Sequence, residues 1–252
     1  MNFEVDSKIL LGALVDIMGS GKYANSAGVQ SNILSQYCYL TLEGNTLNLW
    51  NSDDSYINNI TLEVEGAIDG NVTLDIKAVT PFLKQVKDTM GVAVASSICF
   101  ATSDSTLTLG IMQAHPYMAG ITRIMEMDLT GEMPSFNDTP FEGKFTITSE
   151  DFNNAITMCE LIKTGVYTIT YYEETEDGLN EAMVAISSSD TGLRSYSTTI
   201  NLIENSGECA IVQYTGPLHK FFKEDVTFYV KDNFPLYLVS EGRKLIKAPY
   251  LV

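Results

Sequence analysis

Gly19-Ser20-Gly21-Lys22 is the stretch that most invites a chemical reading, because glycine-rich turns ending in lysine can cradle phosphate. The spacing refuses it. Tyr23 stands where such a loop needs Ser or Thr, and Asp16 stands where its first glycine belongs, so a tight turn after a helix is the better account. His115 and His219 are the two histidines, and neither lies in a metal-ligand spacing. Asp53-Asp54, inside a Ser-Asp-Asp-Ser run, reads as a turn, and Glu173, Glu174, Glu176 and Asp177 before Gly178 read as a solvated hairpin tip. Trp50 closes an apolar run and reads as core. Cys38, Cys99, Cys159 and Cys209 stand singly, as buried free thiols of a reducing compartment rather than a zinc or disulfide framework. No catalytic constellation emerges, so the expectation is a protein that is not an enzyme and needs neither cofactor nor metal.

The lysines are better organised. A helix entered at Thr80-Pro81 would put Val79, Phe82, Leu83 and Val86 on one face, with Lys84 and Lys87 on another and Lys77 just ahead. A helix entered at Gly216-Pro217 would set Leu218, Phe221 and Phe222 against Lys220 and Lys223. Lysines on one amphipathic helix are usually only a solvated face. Their recurrence in two similar segments of a chain of net charge −17 leaves contact with a polyanion as an open alternative. Two other helices are expected, over about Ser7 to Met18 and Ser149 to Ile162. The first shows Lys8, Leu11, Gly12 and Val15 away from its apolar stripe; the other shows Asn153, Asn154 and Thr157, with Glu150 beside them. Such faces could line a channel without gripping phosphate strongly.

These segments sit in a duplicated frame. Phe3, Val5, Ser7 and Ala13 return at one constant offset as Phe145, Ile147, Ser149 and Ala155. In each copy an alternating run meets a serine and changes to helical spacing, which predicts a strand entering a Ser-capped helix. Pro81 and Pro217 form a second landmark at nearly the same offset. Short β-rich runs fill the remainder, and the pattern stops between Met127 and Gly143. The expectation is therefore a first domain over 1–126, a connector over 127–143 and a second domain over 144–252, in an α+β fold. A chain of 252 residues with 45% hydrophobic content can bury two such cores. No apolar run is long enough to cross a bilayer, and the start lacks a secretion signal's layout, so an intracellular, soluble protein is expected.

In order and spacing, these landmarks resemble the two-domain DNA sliding clamps of the proliferating cell nuclear antigen type. The resemblance rests on the duplicated strand–helix starts, Met127-Asp128-Leu129, Asn233-Phe234-Pro235-Leu236, the closing Lys247-Ala248-Pro249, and the loop from Leu47 to Ile57. It implies a homotrimeric ring, sheets outside and helices inside, that encircles double-stranded DNA at the replication fork without reading its sequence. It implies service in DNA replication and repair as a processivity factor for DNA polymerase, with a clamp loader and with nuclease and ligase bearing clamp-binding peptides as further partners. Lys77, Lys84, Lys87, Lys220 and Lys223, with Lys8 and Lys22 as weaker candidates, would face the DNA. A peptide pocket would be lined by Tyr56, Ile57, Met127, Leu129, Met133, Pro134, Pro235, Ile246, Ala248 and Pro249. Ile121, Ile124, Arg194 and Tyr196 would meet the neighbouring subunit. The other reading is a β-rich adaptor that never encircles DNA, or a one-sided processivity factor working as a monomer or dimer; oligomeric state separates the two.

Overall fold

The computed structural model describes residues 1–18, 36–53, 55–84, 97–103, 106–111, 120–123, 141–176, 179–190, 194–215 and 221–250. The first elements in chain order are β1 (Asn2–Asp6), α1 (Ser7–Ile17), β2 (Tyr37–Glu43), β3 (Thr46–Asp53), β4 (Tyr56–Glu63), β5 (Glu65–Ile68), β6 (Gly70–Asp75), α2 (Ile76–Lys84), β7 (Ser97–Ser103), β8 (Thr106–Ile111) and β9 (Gly120–Arg123). Then come β10 (Gly143–Ile147), α3 (Ser149–Glu160), β11 (Val166–Glu176), β12 (Leu179–Ser189), β13 (Ser195–Ile200), β14 (Glu204–Gly207), β15 (Ala210–Thr215), β16 (Val226–Val230), β17 (Leu236–Ser240) and β18 (Arg243–Lys247).

The described residues form two compact units. The first holds 1–18, 36–53 and 59–123, and the second holds 55–58 and 141–250. Within the first, strands run in the order β5-β1-β7-β8-β9 and in a second run β4-β3-β2-β6. Within the second, the orders are β14-β10-β16-β17-β18 and β13-β12-β11-β15. Laying β1 on β10, β2 on β11 and so on to β9 on β18 turns one scheme into the other. The duplication legible at Phe3 and Phe145 thus extends through nine strands. The connector expected over 127–143 lies outside the described residues except for 141–143.

The local chemistry explains each start. Phe3 and Val5 alternate into the core from β1, and α1 buries Leu10, Ala13, Leu14 and Ile17 at helical spacing. The cap is not the serine. Asp6 holds extended dihedrals and accepts from the Lys8 and Ile9 amides at 2.8 and 3.1 Å. Thr148 does the same for α3, accepting from the Asp151 amide at 3.0 Å while its hydroxyl donates to the Asp151 carboxylate at 2.8 Å. Ser7 and Ser149 are instead the first helical residues, because the preceding side chain already reaches the open amides.

Two helix expectations need correction. α2 begins at Ile76 rather than Thr80, since the Asp75 carboxylate caps it by accepting from the Lys77 amide at 2.8 Å; Pro81 falls inside the helix. The segment expected to be helical over Thr215–Glu224 has Thr215 in β15 and irregular backbone over 221–224, with 216–220 outside the described residues. Phe221 and Phe222 are buried nonetheless, stacked at 4.5 Å. The buried Arg243 donates to the Phe221 carbonyl and lies 5.8 Å from its ring, anchoring this irregular stretch from β18. Around them Phe145, Phe152 and Phe228 form the aromatic centre of the second unit, with Phe145 and Phe228 stacked at 4.6 Å.

Candidate nucleic-acid and docking surfaces

The basic residues are placed by the helices of the first unit. Burial of Ile76, Val79, Thr80 and Leu83 on α2 leaves Lys77, Pro81 and Lys84 on one exposed stripe. Lys77 Nζ also donates to Gln36 Oε1 at 3.0 Å. α1 packs beside α2 and contributes the exposed Lys8. In the second unit Lys223 is exposed on the irregular stretch before β16. Lys22, Lys87 and Lys220 lie outside the described residues. The exposed residues of α3 include Glu150, Asp151, Asn154, Thr157 and Met158, and the helix carries no basic residue. Three of the expected lysines thus share one helix pair, whereas α3 opposes phosphate by charge.

Six of the ten residues expected at the peptide surface lie at the start of β4, just before β17 and at the end of β18, inside the second unit. Tyr56 is buried, Ile57, Pro235, Ile246 and Pro249 are half-buried, and Ala248 is exposed. Met127, Leu129, Met133 and Pro134 lie outside the described residues. Sequence reasoning passed over the residue that joins these positions. Lys247 is fully buried; its Nζ donates to Ser55 Oγ at 2.9 Å and sits 5.6 Å from the centre of the Tyr56 ring. The Ala248 amide donates to the Ser55 carbonyl at 2.8 Å, and the Tyr250 amide to the Gln213 carbonyl on β15 at 2.7 Å. Backbone pairing therefore runs 248–250 past the start of β4 and the edge of β15, with the Tyr250 side chain exposed. The alternation of β18 (Arg243, Leu245 and Lys247 all inward) could have flagged Lys247, since a lysine at an inward position needs a polar partner.

The candidate subunit contacts lie on strand edges. Among the described residues β9, which holds Ile121 opposite Thr108, ends one sheet, and β13, which holds Tyr196 opposite Ser188, ends another. Arg194 is exposed just before β13 and paired with Asp190 at 2.8 Å; Ile124 lies outside the described residues. A groove of about 180 Å³ separates α3 from β13, lined by Asp151, Asn154, Tyr196, Thr198 and Ile200 among others. A polar groove of about 320 Å³ lies between Glu173, Met183 and Asn205.

Gly19–Lys22, His115 and His219 lie outside the described residues, and Trp50 is half-buried in β3. Burial pushes the Cys38 thiol up to about 12 against a hydrogen bond from the Trp50 backbone, and the Cys159 thiol, aided by Glu160, to about 11. Both remain protonated and unreactive at neutral pH. Cys209, contrary to expectation, is an exposed free thiol. Among the described residues no group of His, Cys, Asp and Glu could hold a metal, and no helix is long and apolar enough to cross a membrane.

No protein-family model and no curated protein matches the sequence. Solved structures do. The chain aligns over its whole length with the A. fulgidus PCNA bound to the C-terminal region of FEN-1, at TM-score 0.70 and 13% identity, covering 98% of that chain. It aligns with the DNA polymerase sliding clamp of Bacillus subtilis at TM-score 0.74 and 11% identity, and with the DNA polymerase III beta subunit of Thermotoga maritima at 0.70 and 13%. It spans 64% and 66% of those two bacterial chains. Identities this low speak for the fold alone. The chain has the α+β fold of the DNA sliding clamps.

Proposed function

We propose that this protein is a DNA sliding clamp, a closed ring of three copies that encircles duplex DNA and tethers DNA polymerase and other replication and repair proteins. The observation that carries the reading is the pair of matched units in the clamp fold, with β9 and β13 ending their strand orders among the described residues. β9 is the counterpart of β18, and β13 is the counterpart of β4. Pairing β9 of one copy with β13 of the next joins copies head to tail and removes two sheet edges, and a rotation that closes makes the assembly a ring. Three is the number that resemblance to the two-domain clamps implies.

Retention by enclosure needs no tight grip. Weak, sequence-independent contacts from Lys8, Lys77, Lys84 and Lys223, with Lys22, Lys87 and Lys220, leave a ring free to slide. The excess of 32 acidic over 15 basic residues discourages DNA contact elsewhere on the surface. Peptides with aromatic anchors dock at Tyr56, Ile57, Pro235, Ile246, Ala248 and Pro249, together with Met127, Leu129, Met133 and Pro134 of the connector at 127–143. Methionine and proline suit such a task because they form adaptable apolar surface.

The lysine-free, acidic α3 favours a second reading, a one-sided or non-encircling factor. Molar mass by light scattering, with electron micrographs of the particles, separates the two. Rings of three copies are expected; a monomer at high micromolar concentration, or a ring of another number, overturns the proposal.

A further inference from the structure

Residues 141–143, the end of the expected connector, are fastened to the second unit by several independent contacts. The Phe141 ring lies 5.8 Å from that of Tyr229, 5.9 Å from Phe234 and 6.2 Å from Tyr237, edge-on to Phe234 and near-parallel to Tyr237. Tyr229 and Tyr237 stack at 5.5 Å, and Lys144 Nζ sits 5.8 Å from the Tyr229 ring. Inward Phe228, Val230, Leu236 and Leu238 put both tyrosines on the face of β16 and β17 turned from the core. Glu142 pairs with Lys231 at 2.7 Å, and its carbonyl accepts from the Glu208 amide at 2.7 Å. Gly207, at φ +85°, permits that approach, since a Cβ there would collide with the Glu142 carbonyl.

A core already exists on the other face, so these rings are not needed to fill it. Their position is informative. Phe234 follows Asn233, at φ 56°, and precedes Pro235, a residue of the proposed peptide surface. Phe141 therefore ties the last residues of the connector to the turn that carries Pro235.

We propose that Phe141 is a positioning residue for partner docking, holding the connector's end and the 233–235 turn in one arrangement before a peptide arrives. The inference rests on the docking surface proposed above. A surface ordered in advance spends less of the binding free energy on its own ordering.

The test is fluorescence polarisation on the full-length chain, using a labelled C-terminal peptide of the source organism's replicative DNA polymerase, with near-UV circular dichroism following the rings. Phe141→Ala is expected to change the aromatic dichroism and weaken the peptide about five- to tenfold, the size of one lost ordering contact. Phe141→Tyr, which keeps the ring, should bind within about twofold of wild type. Altered dichroism with unchanged affinity in Phe141→Ala overturns the inference and leaves the docking surface standing. Absence of binding by the wild type overturns both. Should Phe141→Ala fail to fold, Phe141→Leu takes its place under the same outcomes.

Discussion

Lys247 shows how one inward side chain can organise a surface. A buried ammonium is tolerated only where oxygen and π-electrons replace water, and Ser55 and Tyr56 supply both. Ser55→Ala removes a hydrogen bond to a charged group and should cost about 1.5–3 kcal/mol in urea unfolding. Lys247→Met removes the charge along with its requirement and should cost less; the reverse order would show that Ser55 is not its principal support. The thiols make a second residue-scale test. At pH 8, iodoacetamide followed by peptide mapping should label Cys209 in the native protein while sparing Cys38 and Cys159. The folded state raises the Cys38 value from 9.0 to about 12. It therefore holds a proton that the unfolded chain gives up, and the stability linked to this group, full below pH 9, should decline as pH rises toward 12.

At the scale of elements, the helix entries make the sharpest test. Thr148→Ala should destabilise by about 1 kcal/mol, because it deprives the Asp151 amide of its partner. Ser149→Ala should change stability by less than about 0.5 kcal/mol, since that serine is already helical. Equal losses in thermal melts would restore the serine as the cap. Helix α2 teaches a related lesson. Its proline suggested an entry at Thr80, but the Asp75 carboxylate starts the helix a turn earlier and the chain absorbs Pro81 within it.

At the scale of the whole molecule, the proposed ring depends on two edges and a set of scattered charges. Ile121→Arg combined with Tyr196→Arg should place charge at the β9 and β13 edges and yield particles of one-third the wild-type mass by light scattering. Alanine at Lys84, Lys87, Lys220 and Lys223 should shorten products in a primer-extension processivity assay while leaving thermal unfolding in place. Wild-type DNA contact should also fade steeply between low and physiological salt, as counterion release requires. Full processivity in the quadruple variant would remove these lysines from the DNA-facing surface.

The duplicated strand–helix starts were legible in the chain because they follow from local periodicity. Phe3 and Phe145 each open an alternating run, and the change to helical spacing needs no distant partner to be seen. What local pattern could not carry were contacts between residues far apart in sequence. Lys247 meets Ser55 across almost the whole chain, Arg243 anchors the Phe221 carbonyl from β18, and Phe141 finds Tyr229, Phe234 and Tyr237 on a sheet face with no sequence signature of its own. Sequence-local energetics set the strand–helix starts of both copies. Only the packed tertiary structure decided which buried charges and rings would meet, because desolvation allows them few partners and the fold alone brings those partners near.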